Sequence, residues 1–419
     1  MTDSSNSKIK ILHTIRQGQI GGGETHVLDL VSSLDKEKFD SEVLAFTDGE
    51  MVSRLKDMGV TCRVIPTTRP FDFSVWGDVR KLMSENQYDL IHAHGTRACS
   101  NSFRSANKLG LPLVYTIHGW SFHQDQSTVV RNVREFSEKY LVSRTSRNVS
   151  VSESNNNDGI ERLDMPCSQI INYGINLNKF DAHKNYGLTR EELGLPPDTI
   201  LVGMVVRLTV QKDPMTFLKA AKSVLSKSDK IHFVVVGGGE LEEKCKKYVN
   251  NEGLSDRVSF VGFRTDIPAV LSILDIYCLP SLWEGLPIGV LEAMAMAKAI
   301  VATPVDGTKE VIEDHVSGLL FPEYDSEKMA HCILELAQDD KKREQMGANA
   351  LEIIKTSFTV DRMARELGNL YEELWDVWPT NMPLPKQKYE HRDGYPQIEL
   401  EDSVEFGLLN FVIPISFFL

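Results

Sequence analysis

Short apolar runs alternate with amphipathic stretches along most of the chain. Residues 9–15 form an apolar run that ends before a group of glycines, and Val27, Leu28, Val31 and Leu34 then recur at the spacing of one helix face. The alternation continues and predicts further strands at 41–46, 61–65, 90–93 and 113–117, with a second series at 200–206, 232–236 and 275–279. This βαβ rhythm is typical of parallel, doubly wound sheets.

Length and composition narrow the class of protein. A chain of 419 residues exceeds a usual single core, so two domains are expected. The composition, with 42% hydrophobic and 25% charged residues, is that of a soluble globular protein. A formal net charge of −13 argues against a nucleic-acid partner, and it requires that any anionic ligand be held by local basic groups.

Cysteine usage and the termini indicate the compartment. The six cysteines are scattered without a C-x-x-C pair, so we expect neither a disulfide framework nor a zinc site built on cysteine, and a reducing cytoplasm. The polar start MTDSSNSK lacks the apolar core of a signal peptide, and no apolar run reaches the roughly 20 residues that span a bilayer.

Residues 280–304 combine two glutamates with a turn and a helix. Glu284 precedes a Gly-Leu-Pro turn, and the apolar positions that follow predict a helix from about residue 287 to 297. Glu292 would then lie on the second turn of that helix. Free backbone N–H groups at the start of a helix bind anions, so the segment predicts an anion site flanked by two carboxylates.

This segment resembles the donor-sugar motif of the retaining glycosyltransferases of family 4. The resemblance implies an α/β protein of the GT-B fold, in which two Rossmann-like, doubly wound parallel-sheet domains face each other across a cleft. It implies that Glu284 contacts the transferred sugar, that Glu292 contacts the nucleotide ribose, and that the loop amides meet sugar and diphosphate. The loop residues concerned are Gly285, Leu286, Pro287 and Ile288. A surface glutamate followed by an ordinary helix cap is the alternative.

The resemblance extends over residues 8–378 and implies the domain organisation. Residues 1–178 are expected to form an acceptor-side domain, and residues 179–360 a domain that binds the nucleotide-sugar donor. A helix at 361–378 would cross back and complete the first domain. Residues 379–419 end in an apolar stretch. This tail could contact a membrane surface, pack on the rest of the protein or have no function, and the sequence does not decide among these roles.

A glycine turn follows the first predicted strand and opens a helix. Glycines there let a phosphate approach the backbone. The dinucleotide fingerprint G-x-G-x-x-G, counted from Gly21, is not completed, because His26 occupies its last position. The turn is similar to the Gly-Gly-x-Glu element of family 4, which faces the donor phosphates or the acceptor, so Gly22 and Gly23 are predicted to bind substrate. A tight turn without a ligand is the alternative.

Histidines stand at the ends of two predicted strands, where ligands bind in such sheets. His118 lies in a Thr-Ile-His-Gly sequence that resembles the Thr-x-His-Gly element of family 4, whose histidine reaches the transferred sugar; it is therefore a predicted catalytic residue. His92 and His94 are expected behind it or on the acceptor side. The aromatic stretch 118–123 is a candidate wall for the acceptor sugar. A histidine held only by structural hydrogen bonds is the alternative.

Two basic residues follow the first strand of the second half. Family 4 usually has Gly-Arg-Leu at this point; here a valine replaces the glycine, but Arg207 is kept and Lys212 follows. Both are predicted to hold the donor diphosphate and to stabilise its charge, unless they are merely solvated surface charges. Gly237 lies in a turn similar to one near the nucleotide, and Phe263 and Arg264 match the edge that meets the nucleobase.

The residues and the resemblance together predict a retaining glycosyltransferase. It would move a sugar from a UDP- or GDP-sugar to a glycan or lipid-linked saccharide in cell-surface polysaccharide synthesis, in the cytoplasm or at the cytoplasmic face of a membrane. Front-face attack is favoured over double displacement through Glu284, and both remain open. The chain has no Asp-x-Asp pair, so neither a metal ion nor another cofactor is expected.

Three other classes of function fit the sequence less well. A nicotinamide-dependent oxidoreductase requires a complete dinucleotide fingerprint, which neither glycine turn provides. A catalytically degenerate module that binds sugar nucleotides would keep the fold but lose the charged residues of the site. This chain has all four of them: Arg207, Lys212, Glu284 and Glu292. A sucrose- or glucan-type synthase shares the fold, but no feature indicates a storage polymer as acceptor.

Overall fold

Two all-parallel sheets organise the chain, which the computed structural model describes over residues 8–19, 21–123, 125–166 and 168–378. The expectations for the tail at 379–419 lie outside the described residues. The α/β class with two parallel-sheet domains is confirmed. In the described part of the chain, no helix is both long and apolar enough to cross a membrane.

The first sheet has seven strands in the order β3-β2-β1-β4-β5-β6-β7, and each pairing is parallel. The strands are β1 (Ile9–Ile15), β2 (Phe39–Ala45), β3 (Cys62–Val64), β4 (Leu90–His94), β5 (Leu113–Ile117), β6 (Arg147–Ser150) and β7 (Ser168–Ile170). The helices are α1 (Gly22–Ser33), α2 (Glu50–Asp57), α3 (Trp76–Asn86), α4 (Thr96–Leu109), α5 (Thr128–Val142) and α6 (Glu153–Leu163). The strand order reverses between β1 and β4.

The second sheet has six parallel strands in the order β10-β9-β8-β11-β12-β13. The strands are β8 (Ile200–Val205), β9 (Ile231–Val236), β10 (Val258–Gly262), β11 (Ile276–Leu279), β12 (Ala299–Ala302) and β13 (Leu319–Leu320). The helices are α7 (Pro214–Leu225), α8 (Glu242–Asn251), α9 (Ile267–Ile273), α10 (Ile288–Ala295), α11 (Thr308–Val311), α12 (Ser326–Gln338), α13 (Asp340–Ser357) and α14 (Val360–Val377). Here the order reverses between β8 and β11.

The central strands read as continuous apolar runs because helices cover both faces of each sheet. All residues of β5, β9 and β12 are buried. Phe233 of β9 packs against Phe217 of α7 with ring centroids 5.4 Å apart. Each sheet therefore has its own core on both sides, and its carboxyl-terminal edge is free to carry loops.

Helix α14 returns from the second domain and packs on the first. Its apolar stripe, predicted from the sequence, is buried: Met363, Leu367, Leu370, Tyr371 and Leu374. The two chain passages between the domains pair with each other, since the Ile175 N–H donates to the Phe358 carbonyl at 2.8 Å and the Val360 N–H donates to the Ile175 carbonyl at 3.1 Å. This pairing fixes the place where the domains are joined.

The helix after the Gly-Leu-Pro turn is shorter than predicted. It covers Ile288–Ala295, and Pro287 precedes it in an extended conformation with ψ of 97° instead of forming its first turn. At the other end, Ala297 adopts a left-handed φ of 52°, which terminates the helix before the predicted residue 297. Glu292 still lies on the second turn.

Candidate active site

Two loops at the point where the second sheet reverses bring together a cation and a carboxylate. Lys212 lies in a short 3₁₀ turn after β8, and its ammonium group pairs with the Glu284 carboxylate, which follows β11. Gln211 holds the loops in register: its carbonyl accepts from the Leu282 N–H at 2.8 Å and its side-chain amide donates to the Trp283 carbonyl at 2.8 Å. The Glu284 side chain is 6% exposed, so the pair lies at the base of the cleft.

Arg207 follows β8, five residues before Lys212 in the same loop, and is exposed. Among the described residues, no carboxylate or other acceptor binds its guanidinium group. Gly237 is close by, because a Cβ atom at that position would approach the Val206 carbonyl oxygen to 1.9 Å, and its φ of 122° favours glycine. The predicted diphosphate residues Arg207 and Lys212 therefore occupy one region, and the guanidinium is available to a ligand.

The loop after Glu284 is clamped between the two domains. A Cβ atom at Gly285 would lie 2.0 Å from the carbonyl oxygen of His118, and a Cβ atom at Gly307 would lie 2.2 Å from the Gly285 oxygen. The Glu284 N–H donates to the Asp306 carboxylate at 2.7 Å. Any side chain at Gly285 would push the donor loop away from His118.

Backbone N–H groups of this loop remain available. In the described ranges, no oxygen accepts a hydrogen bond from the N–H of Gly285, Leu286 or Ile288. Pro287 and Leu286 are buried, so the loop presents backbone and not side chains at this point. Together with the start of α10, these groups lie where the sequence predicts an anion site, which stays a prediction.

Glu292 faces the first domain across the cleft. Burial raises the pKa of its carboxyl to about 7, an effect that the Lys179 ammonium opposes and the Asp29 carboxylate reinforces. Asp29 belongs to α1, and burial raises its pKa to about 6 against the influence of Lys179. The charge of Lys179 therefore acts on two carboxyl groups from opposite domains, Asp29 and Glu292.

The glycine turn of the first domain closes on the donor loop. A Cβ atom at Gly22 would lie 3.5 Å from the Ile288 side chain, and one at Gly23 would lie 3.5 Å from the His118 ring. The turn therefore lies between the two predicted site residues, as expected for a substrate-binding element. It has room for a small side chain at both positions, so close approach does not itself require glycine here.

His118 belongs to a cluster of histidines at the reversal point of the first sheet. Its Nδ1 lies 2.6 Å from the Tyr173 hydroxyl, and its ring packs against His26 at 5.2 Å and His94 at 5.5 Å. Burial lowers the pKa of His26 to about 3 and holds those of His94 and His118 well below the usual value, so the rings are neutral at pH 7.

His92 and His94 lie behind His118, one of the two places the sequence predicts for them. His92 has a partner on each nitrogen, the Tyr371 hydroxyl at 2.6 Å and the Thr116 hydroxyl at 2.7 Å. His94 is 1% exposed. His26 was missed as a site residue: it stands in the sequence only as the position that breaks the dinucleotide fingerprint, and the cluster is visible only in three dimensions.

The predicted aromatic wall for the acceptor is wrong for two of its residues. Trp120 and Phe122 are buried, stack on each other at 5.5 Å and belong to the core of the first domain. The Trp120 indole N–H is satisfied by the Asn155 carbonyl at 3.0 Å, which explains how the ring can be buried. His123 instead stacks on Trp283 of the second domain at 4.8 Å.

Phe263 and Arg264 are not brought to the charged loops. They follow β10, the edge strand, two strands away from β8. Phe263 is 65% exposed, and the Arg264 guanidinium is bound by the Asp266 carboxylate with a contact of 2.8 Å at Nε. These residues stay predictions for the nucleobase end of the site.

Glu310 makes a contact between the domains that sequence reasoning missed. Its carboxylate accepts from the N–H groups of Glu153 and Ser154, each at 2.8 Å, and so caps the start of α6 in the opposite domain. The partners are more than 150 residues apart in the chain, and no local signal links them. The contact helps to hold the two halves of the cleft together.

Two doubly wound domains that meet across such a cleft define the GT-B class of fold. A crystal structure of the Anabaena protein HepE with UDP-glucose shares it, with a TM-score of 0.77 and 24% identity over 87% of this chain and all of that one. Sucrose-phosphate synthase from Thermosynechococcus elongatus has a TM-score of 0.75 and 19% identity over 88% of this chain and all of its own.

Sequence comparisons identify the family within this class. The family described as Glycosyl transferases group 1 matches residues 187–352, and Glycosyltransferase Family 4 matches residues 20–179. The chain belongs to the group 1, family 4 glycosyltransferases. It is 28% identical to an Escherichia coli UDP-Gal:α-D-GlcNAc-diphosphoundecaprenol α-1,3-galactosyltransferase, over 88% of this chain and 98% of the relative.

Proposed function

We propose that this glycosyltransferase moves a sugar, with retention of configuration, from a UDP- or GDP-sugar to a glycan or lipid-linked saccharide of a cell-surface polymer. The carrying observation is the arrangement at the second reversal point. The Lys212–Glu284 pair, Arg207 and the loop amides belong to the two loops there, and in the described part of the chain Arg207 and these amides have no partner. Each matches one part of a nucleotide-diphosphate sugar.

The leaving diphosphate gains negative charge as the bond to the sugar breaks. Arg207 can bind it through its planar guanidinium and Lys212 as a point charge, while the start of α10 adds backbone N–H groups. Groups held in place before the reaction stabilise that charge without reorganisation. These two cations supply the charge that a metal ion would otherwise provide, so the proposed chemistry needs no metal.

Glu284 is proposed to accept hydrogen bonds from hydroxyl groups of the transferred sugar. Such charge-assisted bonds are worth about 1.5–3 kcal/mol. The contact with Lys212 orients this carboxylate in the free enzyme. Glu292, eight residues further on and on the second turn of α10, is proposed to accept hydrogen bonds from the ribose hydroxyls. Gly22 and Gly23 are proposed to close over the donor from the first domain.

The reaction is proposed to proceed on the front face of the sugar. The acceptor hydroxyl attacks the anomeric carbon on the side that the diphosphate leaves, and a phosphate oxygen takes the hydroxyl proton. His118 would hydrogen-bond the sugar from the first domain. Double displacement through Glu284 is the second mechanism, but its carboxylate is occupied by Lys212, which lowers its reactivity as a nucleophile.

Relatives guide the choice of donor and acceptor. The Escherichia coli relative is named for UDP-galactose and a diphosphoundecaprenol-linked GlcNAc, and the similar Anabaena structure contains UDP-glucose. As the donor we therefore favour a UDP-sugar over a GDP-sugar. As the acceptor we favour a lipid-diphosphate saccharide over a free glycan.

The test is donor hydrolysis in the presence of EDTA. The purified protein is incubated with UDP-, GDP- and ADP-sugars, and nucleotide release is measured for the wild type and for Glu284→Gln. Glu335→Gln, which also removes a lysine-paired carboxylate but on α12, is the matched control. Release from one donor that only Glu284→Gln abolishes supports the proposal. No release from any donor, together with a donor-induced rise in Tm, would favour a degenerate binding module, and no rise in Tm with any donor would contradict donor binding altogether.

A further inference from the structure

The proposed transfer gives a role to only one histidine of the cluster, His118. His13, His26, His92 and His94 are each at most 4% exposed, and they lie in contact behind His118. A buried polar group without a partner costs about 1–3 kcal/mol. In the described part of the chain, five imidazole nitrogens of this cluster are buried without one.

Three of these rings form a nearly equilateral triangle. The centroids of His26, His94 and His118 are 5.4, 5.2 and 5.5 Å apart, taken in pairs. One nitrogen of each ring lies within 4.8 Å of the nitrogens of the other two. Both nitrogens of His26, Nδ1 of His94 and Nε2 of His118 lack a partner among the described residues. Every corner of the triangle therefore has a free nitrogen.

The opposite nitrogens of two of the rings are held. His118 Nδ1 lies 2.6 Å from the Tyr173 hydroxyl, and His94 Nε2 lies 3.3 Å from His13 Nδ1. Outer partners of this kind fix the tautomer and orientation of metal-binding histidines. A second group of three, His13, His92 and His94, is less suitable, because both nitrogens of His92 are already hydrogen-bonded.

We propose that His26, His94 and His118 form a binding site for a borderline divalent transition-metal ion, with Zn²⁺ as the representative. Imidazole nitrogen is a preferred ligand of Zn²⁺, whereas Mg²⁺ and Ca²⁺ require oxygen. Bond lengths of about 2.0–2.1 Å require the three nitrogens to move closer together when the ion binds. His118 is the most exposed of the three, so the fourth position opens toward the cleft.

The ion would act on transfer as an inhibitor. A metal ion on His118 occupies the nitrogen that faces away from Tyr173, and the ring is then withdrawn from the sugar. This consequence rests on the proposed function, whereas metal binding itself does not. Zn²⁺ that binds without slowing donor hydrolysis would leave the site in place and contradict only the inhibition.

Co²⁺ is the probe for the site, because four-coordinate Co²⁺ has intense visible absorption bands. EDTA-treated, desalted full-length protein is titrated with Co²⁺, and Zn²⁺ is then added as a competitor. One equivalent of Co²⁺ should produce the bands and one equivalent of Zn²⁺ should remove them. His26→Gln and His118→Gln should abolish the bands, and Tyr173→Phe should weaken binding about tenfold or more.

His232→Gln is the matched control. His232 is a buried histidine of the second domain with an unpartnered Nδ1, and its loss should leave the bands unchanged. Replacement of the exposed His183, His315 and His331 tests adventitious surface binding. Circular dichroism checks the fold of each variant, and the more exposed His118 provides the result if His26→Gln does not fold. Bands absent from the wild type, retained in both cluster variants, or lost with the surface histidines would overturn the proposal.

Discussion

The two sheets reverse their strand order at equivalent points, but the residues placed there differ in kind. Between β1 and β4 the chain places neutral, buried histidines, and their pKa values are lowered by burial. Between β8 and β11 it places the exposed Arg207 and the Lys212–Glu284 ion pair, whose carboxylate is buried. One topology therefore supports two chemistries, and the charged side is the one suited to a diphosphate.

The difference follows from the way each loop is supported. The Lys212–Glu284 pair is held by the hydrogen bonds of Gln211 and Asp306, so its charges are oriented without being fully desolvated. Helix α14 covers part of the histidine cluster, since its Tyr371 packs against His13 and its hydroxyl lies 2.6 Å from His92 Nδ1. A helix that follows the second domain in sequence therefore supplies a hydrogen-bond partner to a buried histidine of the first.

The largest expected effect comes from removing a cation of the charged side. Lys212→Gln should lower kcat for donor turnover about a hundredfold to a thousandfold, because the charge on the leaving diphosphate loses a fixed counter-charge. The measurement is steady-state nucleotide release. Lys222→Gln on α7, which breaks a surface pair with Glu252 at the end of α8, is the control and should leave kcat unchanged. Equal losses in both variants would contradict a specific role for Lys212.

A methyl group added at Gly285, where the donor loop packs against His118 of the first domain, should have the next largest effect. Gly285→Ala places a Cβ atom 2.0 Å from the His118 carbonyl oxygen, so the domains must separate or the loop must move. A strain of about 1–3 kcal/mol is expected, visible as a lower Tm and reduced kcat/KM. Gly77→Ala is the control, since no atom lies within 4 Å of a Cβ atom there. An unchanged Tm for Gly285→Ala would argue against the close contact.

The pH dependence of donor binding sharpens the comparison, because Glu292 titrates where the histidines do not. Its pKa is raised to about 7 by burial, so the carboxylate that accepts ribose hydroxyls is present above pH 7 and is lost as the pH falls. Affinity for the donor should fall about tenfold from pH 8 to pH 6. Glu292→Gln should bind weakly with a flat profile, measured by titration calorimetry.

Asp29 provides the control for this profile, because its pKa is raised to about 6 by the same cause. Asp29→Asn should keep the step near pH 7 if Glu292 produces it. A step that disappears in Asp29→Asn and persists in Glu292→Gln would assign the titration to the first domain instead.

The smallest expected effect concerns the contact of Glu310 with α6. Glu310→Gln keeps the size of the side chain but leaves only one acceptor for the two N–H groups of Glu153 and Ser154. The loss of about 1 kcal/mol should raise the donor KM by about fivefold with little change in kcat. Glu344→Gln, on the surface of α13, should change neither. A change in kcat alone would contradict a role in holding the domains together.

The fold could be predicted because its signals are local. Apolar runs mark the central strands of both sheets, and the residues of β1 and β5 were predicted without error. The strands β6 and β7 were not predicted, because their sequences RNVS and SQI are largely polar. The ends of α10 were not, because Pro287 and Ala297 adopt conformations that depend on neighbouring chain segments. The first and last residues of a helix are the least reliable part of a prediction from sequence.

The charged side of the cleft could also be predicted, since Glu284 and Glu292 belong to one continuous motif. Residues whose partners are distant in sequence were missed or misplaced. His26 becomes part of a cluster only when α1 packs beside β4, and Phe122 was expected at the surface but packs in the core. Neither residue has a local pattern that reports its neighbours.

The central claim is that the donor nucleotide binds the charged side and not the histidine side. Hydrogen exchange of the wild-type protein with and without UDP tests it most directly, in the presence of EDTA. We expect slower exchange at residues 206–213 and 285–289 when UDP is bound, with residues 90–97 and 116–120 unchanged. Protection confined to residues 90–97 and 116–120 would contradict it.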